Sequence, residues 1–389
     1  MTAAGRVLLT AAMATITACA ARATGGGTPA GEPAQEAQAT PRLTGDGPYL
    51  YVANQNGASV SIVDVDDRTV VGRVDLETLG FGSNPKPHDT AVEPDGSHWY
   101  VTLIGANRVL KFDRENRLVG QTEMEVPGLI VAHPTEDLLV VGRSMTAVNP
   151  PSSVALIRAS DMTLMEEVEI VFPRPHALAI GKGGRWVYTA SLAENRVAAI
   201  DLETGDVNLV EVPVSAGPEA DDSSGAHPAN HAPHTLVEFA LSPDGRTMVA
   251  GGEVSGELLV FDLTDPATPR VVETIDLGGS PWHPAYTPDG RFVFVPLHRA
   301  DAVAVIDASA WEVVARIEGE GLAEPHGAAT SPDGRWVFVS NNNTGGGYVA
   351  RGDLPEAGTV VVIDAVTREI VEILEVGPNA AGIETVPAH

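Results

Sequence analysis

Three histidines occupy the same position in a repeated segment of this sequence. His88, His176 and His326 each follow a proline directly and each lie a few residues before a short turn. A neutral imidazole can bind copper, zinc or haem iron. If the repeats bring this position to a common axis, the three rings line one mouth of a central channel. The spacing therefore predicts a candidate metal or haem site there.

Other residues extend this set. Trp282 stands at the equivalent position of another repeat, with His283 beside it, and His234 lies just upstream of that position in a fifth repeat. Trp282 is also a candidate ligand contact. A structural role fits all of these side chains as well, because rings at the rim of a channel can hydrogen-bond to neighbouring backbone. The sequence leaves the metal interpretation and the structural interpretation open.

Two loops carry further candidates. The insertion 215–233 contains several acidic residues followed by His227 and His231. This mixture could bind a transition metal, and it is equally typical of a solvated loop. A long hairpin holds Asn341 and Tyr348, whose side chains suit contacts to a polar ligand.

Carboxylates are harder to place from the sequence. Asp89 and Glu238 lie close to the repeated position, but counting along the strands makes them point away from the axis. The sequence therefore identifies no carboxylate at the hub.

Short strands must position these side chains. Runs rich in Val, Ile, Tyr and Phe alternate with Pro-Asp-Gly turns, and four runs recur in about forty residues, which is typical of one propeller blade. One innermost strand is expected at 282–286. The chain begins at the second strand of a blade, and residues 380–386 resemble an innermost strand. Pairing the two would close the ring and cover both edges.

The sequence thus predicts an all-β fold, a seven-bladed β-propeller over residues 46–389. Each blade has four antiparallel strands, and the C-terminal strand completes the N-terminal blade. Trp99, Trp186 and Trp336 share a position after the turns and are expected to pack between the sheets.

The motifs Tyr-Val-Ala-Asn54, Tyr-Val-Thr102 and Phe-Val-Ser-Asn341, together with the Pro-Asp-Gly turns, resemble the YVTN-type β-propeller repeat family. The same repeat is similar to the propeller half of cytochrome cd1. The resemblance implies the propeller fold and says little about function, because propellers host binding, scaffolding and catalysis. Histidines at the centre of seven-bladed propellers in nitrous oxide reductase-like and d1-haem proteins offer an analogy of position.

The charge of the chain excludes some partners. The formal net charge is −28, and Lys86, Lys111 and Lys182 are the only lysines. A nucleic-acid-binding protein needs clustered Lys and Arg to neutralise phosphates, so nucleic acid is excluded as a partner. We expect a monomer.

The N-terminus carries a targeting signal. Arg6 precedes an apolar run that is too short to span a bilayer and that ends in Ile-Thr-Ala-Cys19. Cys19, the only cysteine, fits a bacterial lipobox in residues 1–19, with a disordered tether over 20–45. The alternative is a plain signal peptide with an incidental cysteine. The sequence predicts an exported protein, anchored by lipid to the bacterial cell envelope.

Several catalytic motifs are missing from the sequence, including a phosphate-binding glycine loop and a Gly-x-Ser-x-Gly elbow. We therefore expect a binding or scaffold lipoprotein that recognises a small ligand or an envelope protein at the channel mouth, more plausibly a non-enzyme than an enzyme. The alternative is a metal- or haem-binding propeller with a redox or carrier role. A lactonase-like hydrolase is the weaker third hypothesis.

Overall fold

The computed structural model describes residues 47–144, 151–214 and 232–386. Within these ranges, 28 strands form seven four-stranded antiparallel sheets. The seven-bladed prediction is confirmed. The described part contains no helix long and apolar enough to cross a membrane.

The strands of the first four blades along the chain are β1 (Tyr49–Asn54), β2 (Ser59–Asp64), β3 (Thr69–Asp75), β4 (Pro87–Val92), β5 (His98–Leu103), β6 (Arg108–Asp113), β7 (Leu118–Glu123), β8 (Pro127–Ala132), β9 (Leu139–Arg143), β10 (Ser153–Arg158), β11 (Thr163–Glu169), β12 (Pro175–Ile180), β13 (Trp186–Ser191), β14 (Arg196–Asp201) and β15 (Val207–Glu211).

The remaining strands are β16 (Leu236–Leu241), β17 (Thr247–Gly252), β18 (Glu257–Asp262), β19 (Arg270–Asp276), β20 (Ala285–Tyr286), β21 (Phe292–Leu297), β22 (Ala302–Asp307), β23 (Glu312–Glu318), β24 (Pro325–Thr330), β25 (Trp336–Asn341), β26 (Gly358–Asp364), β27 (Ile370–Val376) and β28 (Ala380–Thr385). Two short helical turns, Glu77–Phe81 and His298–Ala300, connect strands.

The first blade is built from both ends of the described chain, in the order β28-β1-β2-β3. Leu50 pairs with Thr385 and Val52 with Ile383 in the antiparallel ladder between β1 and β28. This ladder satisfies the backbone of two strands that would otherwise be exposed edges. The predicted closure by the C-terminal strand is confirmed.

The turns after the innermost strands are fixed by local side-chain bonds. In the last blade the Ser331 hydroxyl donates to Asp333 Oδ1 at 2.6 Å, and the same oxygen accepts from the Arg335 backbone N–H at 3.0 Å. Gly334 adopts a φ of 71°, which favours glycine. His133 replaces this serine in the third blade, and its Nδ1 accepts from the Glu136 N–H at 2.8 Å. His133 thus replaces the serine as the side chain that stabilises this turn.

The core lies between neighbouring sheets. Trp99 is fully buried, stacked between Tyr51 of the first blade and Phe112 of its own blade. Trp336 is buried too, and half-buried Trp186 packs against the core between the fourth and fifth blades. The three tryptophans pack between sheets as predicted.

A β-bulge lies at the start of the innermost strands. Pro87 pairs with Leu103 and Thr90 with Val101, so that His88 and Asp89 together oppose one residue of β5. Equivalent register shifts occur in β8, β12, β16, β24 and β28. A bulge breaks the alternation of side chains and redirects them. Two consecutive side chains of one strand can therefore both face the central axis.

The innermost strand of the sixth blade is shorter than predicted. Only Ala285–Tyr286 is a strand, not 282–286. Pro284 has no N–H to donate to a ladder. His283 instead forms a parallel bridge with Gly327 of the next blade, since its N–H donates to the His326 carbonyl at 3.2 Å.

Candidate functional site

Four histidines from four blades meet at the axis. The ring centroids of His88 and His176 are 5.8 Å apart, those of His88 and His326 6.3 Å, and those of His283 and His326 4.4 Å. Trp282 lies 4.7 Å from the His326 ring. The structure thus brings together the main residues of the predicted site. We call His88, His176 and His326 the hub histidines.

Burial keeps these rings neutral. Desolvation lowers the pKa of His176 to about 3 and that of His283 to about 4. Burial, followed by the proximity of other imidazoles, places the pKa values of His88 and His326 well below the usual range. All four rings therefore carry unprotonated nitrogen lone pairs at neutral pH, which is the form that binds metals.

Strand β16 orients two of the rings. His176 Nδ1 lies 2.8 Å from the Val237 carbonyl, which can only accept, so Nδ1 carries the proton. His283 Nδ1 contacts the carboxyl group of the next residue, Glu238. Metal-binding histidines commonly have one nitrogen held in this way by a carbonyl or a carboxylate. In each ring Nε2 is the nitrogen left for a ligand.

Several hub nitrogens have no partner among the described residues. They are both ring nitrogens of His88, Nε2 of His176 and Nδ1 of His326. A buried polar atom without a hydrogen bond is costly, at about 1–3 kcal/mol. Only the Nδ1 bond of His176 fits the structural interpretation, in which rim histidines bond to backbone.

Below the hub the channel widens into a cavity of about 860 Å³, which opens toward the turns after the innermost strands. The ionisable side chains among its lining residues are Asp89, Lys182, Glu238, His283, Tyr286 and Glu384. Many of its lining side chains are apolar, such as Ile130, Leu178, Phe239 and Ile383, while polar and apolar atoms share the exposed wall about equally. We call this space the channel cavity.

The expectation that Asp89 and Glu238 point away from the axis is wrong. It assumed strict alternation, whereas the bulges place His88 and Asp89, and likewise Val237 and Glu238, opposite one residue of the next strand. His283 holds the equivalent place in the sixth blade. An alignment of the repeats on their turns would have shown that Asp89, Glu238 and His283 occupy the same position, one residue after the position of the hub histidines.

Glycine makes room for one of these acids. A Cβ at Gly382 would overlap Asp89 Oδ1 and the His88 carbonyl, so glycine is required there. Asp89 Oδ2 accepts from the Ile130 N–H at 2.9 Å, which ties the second blade to the third. Both Gly382 and Glu384 lie on the closing strand β28, which no turn motif follows.

The same desolvation that lowers the histidine pKa values raises those of the acids. Burial raises the pKa of Glu238 to about 8, and burial with the nearby Glu238 raises that of Asp89 to about 7. Burial also raises the pKa of Glu384 to about 8. Near pH 7 Glu238 and Glu384 are therefore mostly protonated and Asp89 is partly protonated, which lowers the net charge of the channel.

Other predicted residues lie elsewhere. His234 Nε2 bonds to the Pro213 carbonyl at 2.9 Å and its Nδ1 lies 3.3 Å from Glu257, away from the hub rings. Asn341 is buried and donates to the Val339 carbonyl, and the Tyr348 hydroxyl donates to Glu375. These contacts hold the hairpin together.

Three predicted residues, Cys19, His227 and His231, lie outside the described residues. In the described part, no three His, Cys, Asp or Glu side chains are arranged closely enough to hold a metal ion as they stand. A zinc site with three or four protein ligands is therefore not preformed there, whereas a metal that needs one or two protein ligands is compatible with the hub.

The fold and the match to a family model define the class. Residues 119–345, more than half of the chain, match the model of the lactonase, seven-bladed β-propeller family, and the chain belongs to that family. Protein NirF of Pseudomonas aeruginosa is 22% identical over 260 residues, which cover 53% of this chain and 60% of NirF. The chain thus spans less than two thirds of that relative.

Solved structures with low sequence identity share the fold. A functionally unknown protein from Desulfotomaculum acetoxidans has a TM-score of 0.64 at 15% identity, covering 88% of this chain and 99% of that one. Hydrazine synthase from Kuenenia stuttgartiensis has a TM-score of 0.61 at 17% identity, covering 81% and 92%. The dihydro-heme d1 dehydrogenase NirN, in complex with DHE, has a TM-score of 0.59 at 16% identity, covering 90% and 78%.

The raised pKa of Glu384 predicts how stability depends on pH. Because its folded pKa of about 8 exceeds the ordinary 4.5, ionisation favours the unfolded chain. Its stabilising contribution is present below about pH 4.5 and is lost as the pH rises through about 8. We expect the melting temperature to fall less steeply over this range in Glu384→Gln than in the wild type.

Exposed Glu123 provides the control, since Glu123→Gln should leave the slope unchanged. Asp89 and Glu238 face the same cavity and contribute slopes of the same sign, so the effect of Glu384→Gln is partial. Parallel melting curves for wild type and Glu384→Gln would show that this carboxyl titrates normally.

Proposed function

We propose that this protein is an exported, lipid-anchored propeller that binds an iron tetrapyrrole of the haem type in its channel cavity, with His283 as the iron ligand. The observation that carries the proposal is the Glu238–His283 pair in a cavity lined by many apolar side chains. The tetrapyrrole would supply redox or carrier chemistry through its iron.

The residues present fit such a group. A macrocycle already provides four ligands to its iron, so one protein imidazole suffices. The cavity volume of about 860 Å³ lies within the range of small-molecule and cofactor sites. Its many apolar side chains suit a planar ring system. The contact between Glu238 and Nδ1 of His283 fixes the orientation of the ring.

The likeness to NirN supports this choice of ligand class, because NirN was solved in complex with DHE. NirF is similar to this chain in sequence, with 22% identity over 260 residues. Export and the anchor are supported by the N-terminal apolar run and Cys19. In fractionated cells, Cys19→Ala should move the protein out of the membrane pellet, and a protein that stays there contradicts the lipid anchor.

The ligand proposal is tested by titrating ferric haem into the purified full-length protein in detergent. We expect a shifted Soret band that saturates at one haem per chain. His283→Ala should weaken binding at least tenfold because the iron loses its protein ligand, and metal-free protoporphyrin should bind less tightly than haem for the same reason.

His98 offers a matched control, because it is a half-exposed histidine paired with Glu93, off the axis. His98→Ala should bind haem like the wild type. The proposal is wrong if haem produces no saturable shift, or if His283→Ala and His98→Ala bind it equally well.

Lactone hydrolysis is a second candidate, favoured by the family and by the same imidazole–carboxyl pair. His283 would take a proton from water as the water oxygen attacks the lactone carbonyl. The ring C–O bond then breaks and the leaving oxygen takes up the proton. Glu238 would orient the imidazole, and the apolar walls would hold the substrate.

Acid release from a δ-lactone at constant pH tests this activity. If the protein is a hydrolase, His283→Ala should lower the rate about 10²-fold, in line with the loss of general-base assistance. A wild-type rate no higher than that of buffer would rule out hydrolysis of the lactone tested and leave the tetrapyrrole proposal untouched.

A further inference from the structure

The hub histidines have no role in the proposed tetrapyrrole site. His88, His176 and His326 do not line the channel cavity; they lie beside it, with His283 between them and its inner end. Each is at most 4% exposed. Together they leave four ring nitrogens without a partner in the described part of the chain. Such a concentration of buried ring nitrogens without hydrogen bonds needs an occupant or a functional reason.

The hydrogen-bond pattern determines the protonation state of one of these nitrogen atoms. His176 donates its Nδ1 proton to the Val237 carbonyl, so in the neutral ring Nε2 carries the lone pair. No donor lies within reach of it in the described structure. An outward-facing lone pair on a ring fixed by a backbone carbonyl is the usual arrangement of a metal-ligating histidine.

The spacing of the rings suits a shared ion. Metal–nitrogen bonds of about 2.0–2.1 Å put each ring centre about 3.1–3.2 Å from the metal. Two imidazoles bound to the same ion therefore have ring centres about 5.2 Å apart at a tetrahedral angle and about 6.3 Å apart in a linear arrangement. The observed separations from His88 are 5.8 Å to His176 and 6.3 Å to His326. His88 is the common member, with both nitrogens free.

The surroundings can compensate a positive charge. Asp89 follows His88 directly, and Glu238 follows the residue that holds His176. A cation in a buried site requires nearby negative charge, which an ionised Asp89 or Glu238 would supply. No lysine or arginine is among the residues that line the adjacent cavity except Lys182 near its opening.

We propose that the hub histidines form a copper site, with His88 and His176 as ligands and His326 as the third imidazole beside them. Copper stands at the top of the affinity order for first-row divalent metals, and imidazole suits it. Zinc in a structural site takes four protein ligands. This site goes beyond the tetrapyrrole proposal and uses different residues.

Metal analysis of the full-length protein tests the site. The protein, purified without a His-tag, is equilibrated with copper, with and without ascorbate, and then desalted. We expect one copper per chain, with affinity at least 100-fold weaker in His88→Ala and in His176→Ala. His176→Gln keeps more of the side-chain volume and should lose copper too, which separates loss of a ligand from loss of packing. Melting curves of each variant report its fold.

Two controls separate this site from others. His98→Ala should keep the copper, since His98 lies on β5, paired with Glu93 and away from the hub. His283→Ala should lose haem and keep copper, whereas His176→Ala should lose copper and keep haem. The copper proposal is wrong if the folded wild type takes up no copper, or if His88→Ala and His176→Ala bind as much as wild type with equal affinity.

Discussion

The backbone ladder between β1 and β28 is the interaction on which the axial site depends. It joins the two ends of the described chain into one sheet and so turns a row of blades into a ring. Only a closed ring brings side chains from the second, fourth, sixth and seventh blades within reach of one another. The closing strand also contributes to the site, through Glu384 and through the space that Gly382 leaves for Asp89.

The bulges divide the axis into two chemically different levels. The first residue of each bulge supplies His88, His176 and His326 to the hub, and the next supplies Asp89 and Glu238 to the channel cavity. His283 belongs to both levels, because its ring packs on His326 and its Nδ1 contacts Glu238. One local backbone irregularity, repeated from blade to blade, thereby creates both candidate sites.

Burial then sets the charge state of both levels. It lowers the pKa values of the imidazoles and raises those of the carboxyls, so that neither set is strongly charged near neutral pH. This holds in a chain whose formal net charge is −28. The negative charge therefore lies mostly on the surface, while the axis offers neutral lone pairs and protonated acids. A metal or a metal-containing ligand would be the natural source of positive charge there.

The sequence predicted the fold well because each blade repeats the same apolar runs and turn residues. In addition, β1 and β28 would each leave an exposed strand edge unless they paired with one another. It also placed the hub histidines, since they share one offset from the turns. It missed Asp89 and Glu238 because alternation fails at a bulge, which has no strong sequence signal. Glu384 was missed because no Pro-Asp-Gly turn motif follows β28 in the sequence. His234 was included because it lies close to the repeated position along the chain, but in the structure it contacts Pro213 and Glu257 instead of the hub.

The location of iron in crystals of the haem-loaded protein tests the central claim most directly. Anomalous diffraction at the iron edge would place the metal without reference to the protein map. We predict a single iron in the channel cavity, bonded to the imidazole of His283. Iron bound on the outer surface, or between His88 and His176, would contradict the assignment of the tetrapyrrole to the cavity.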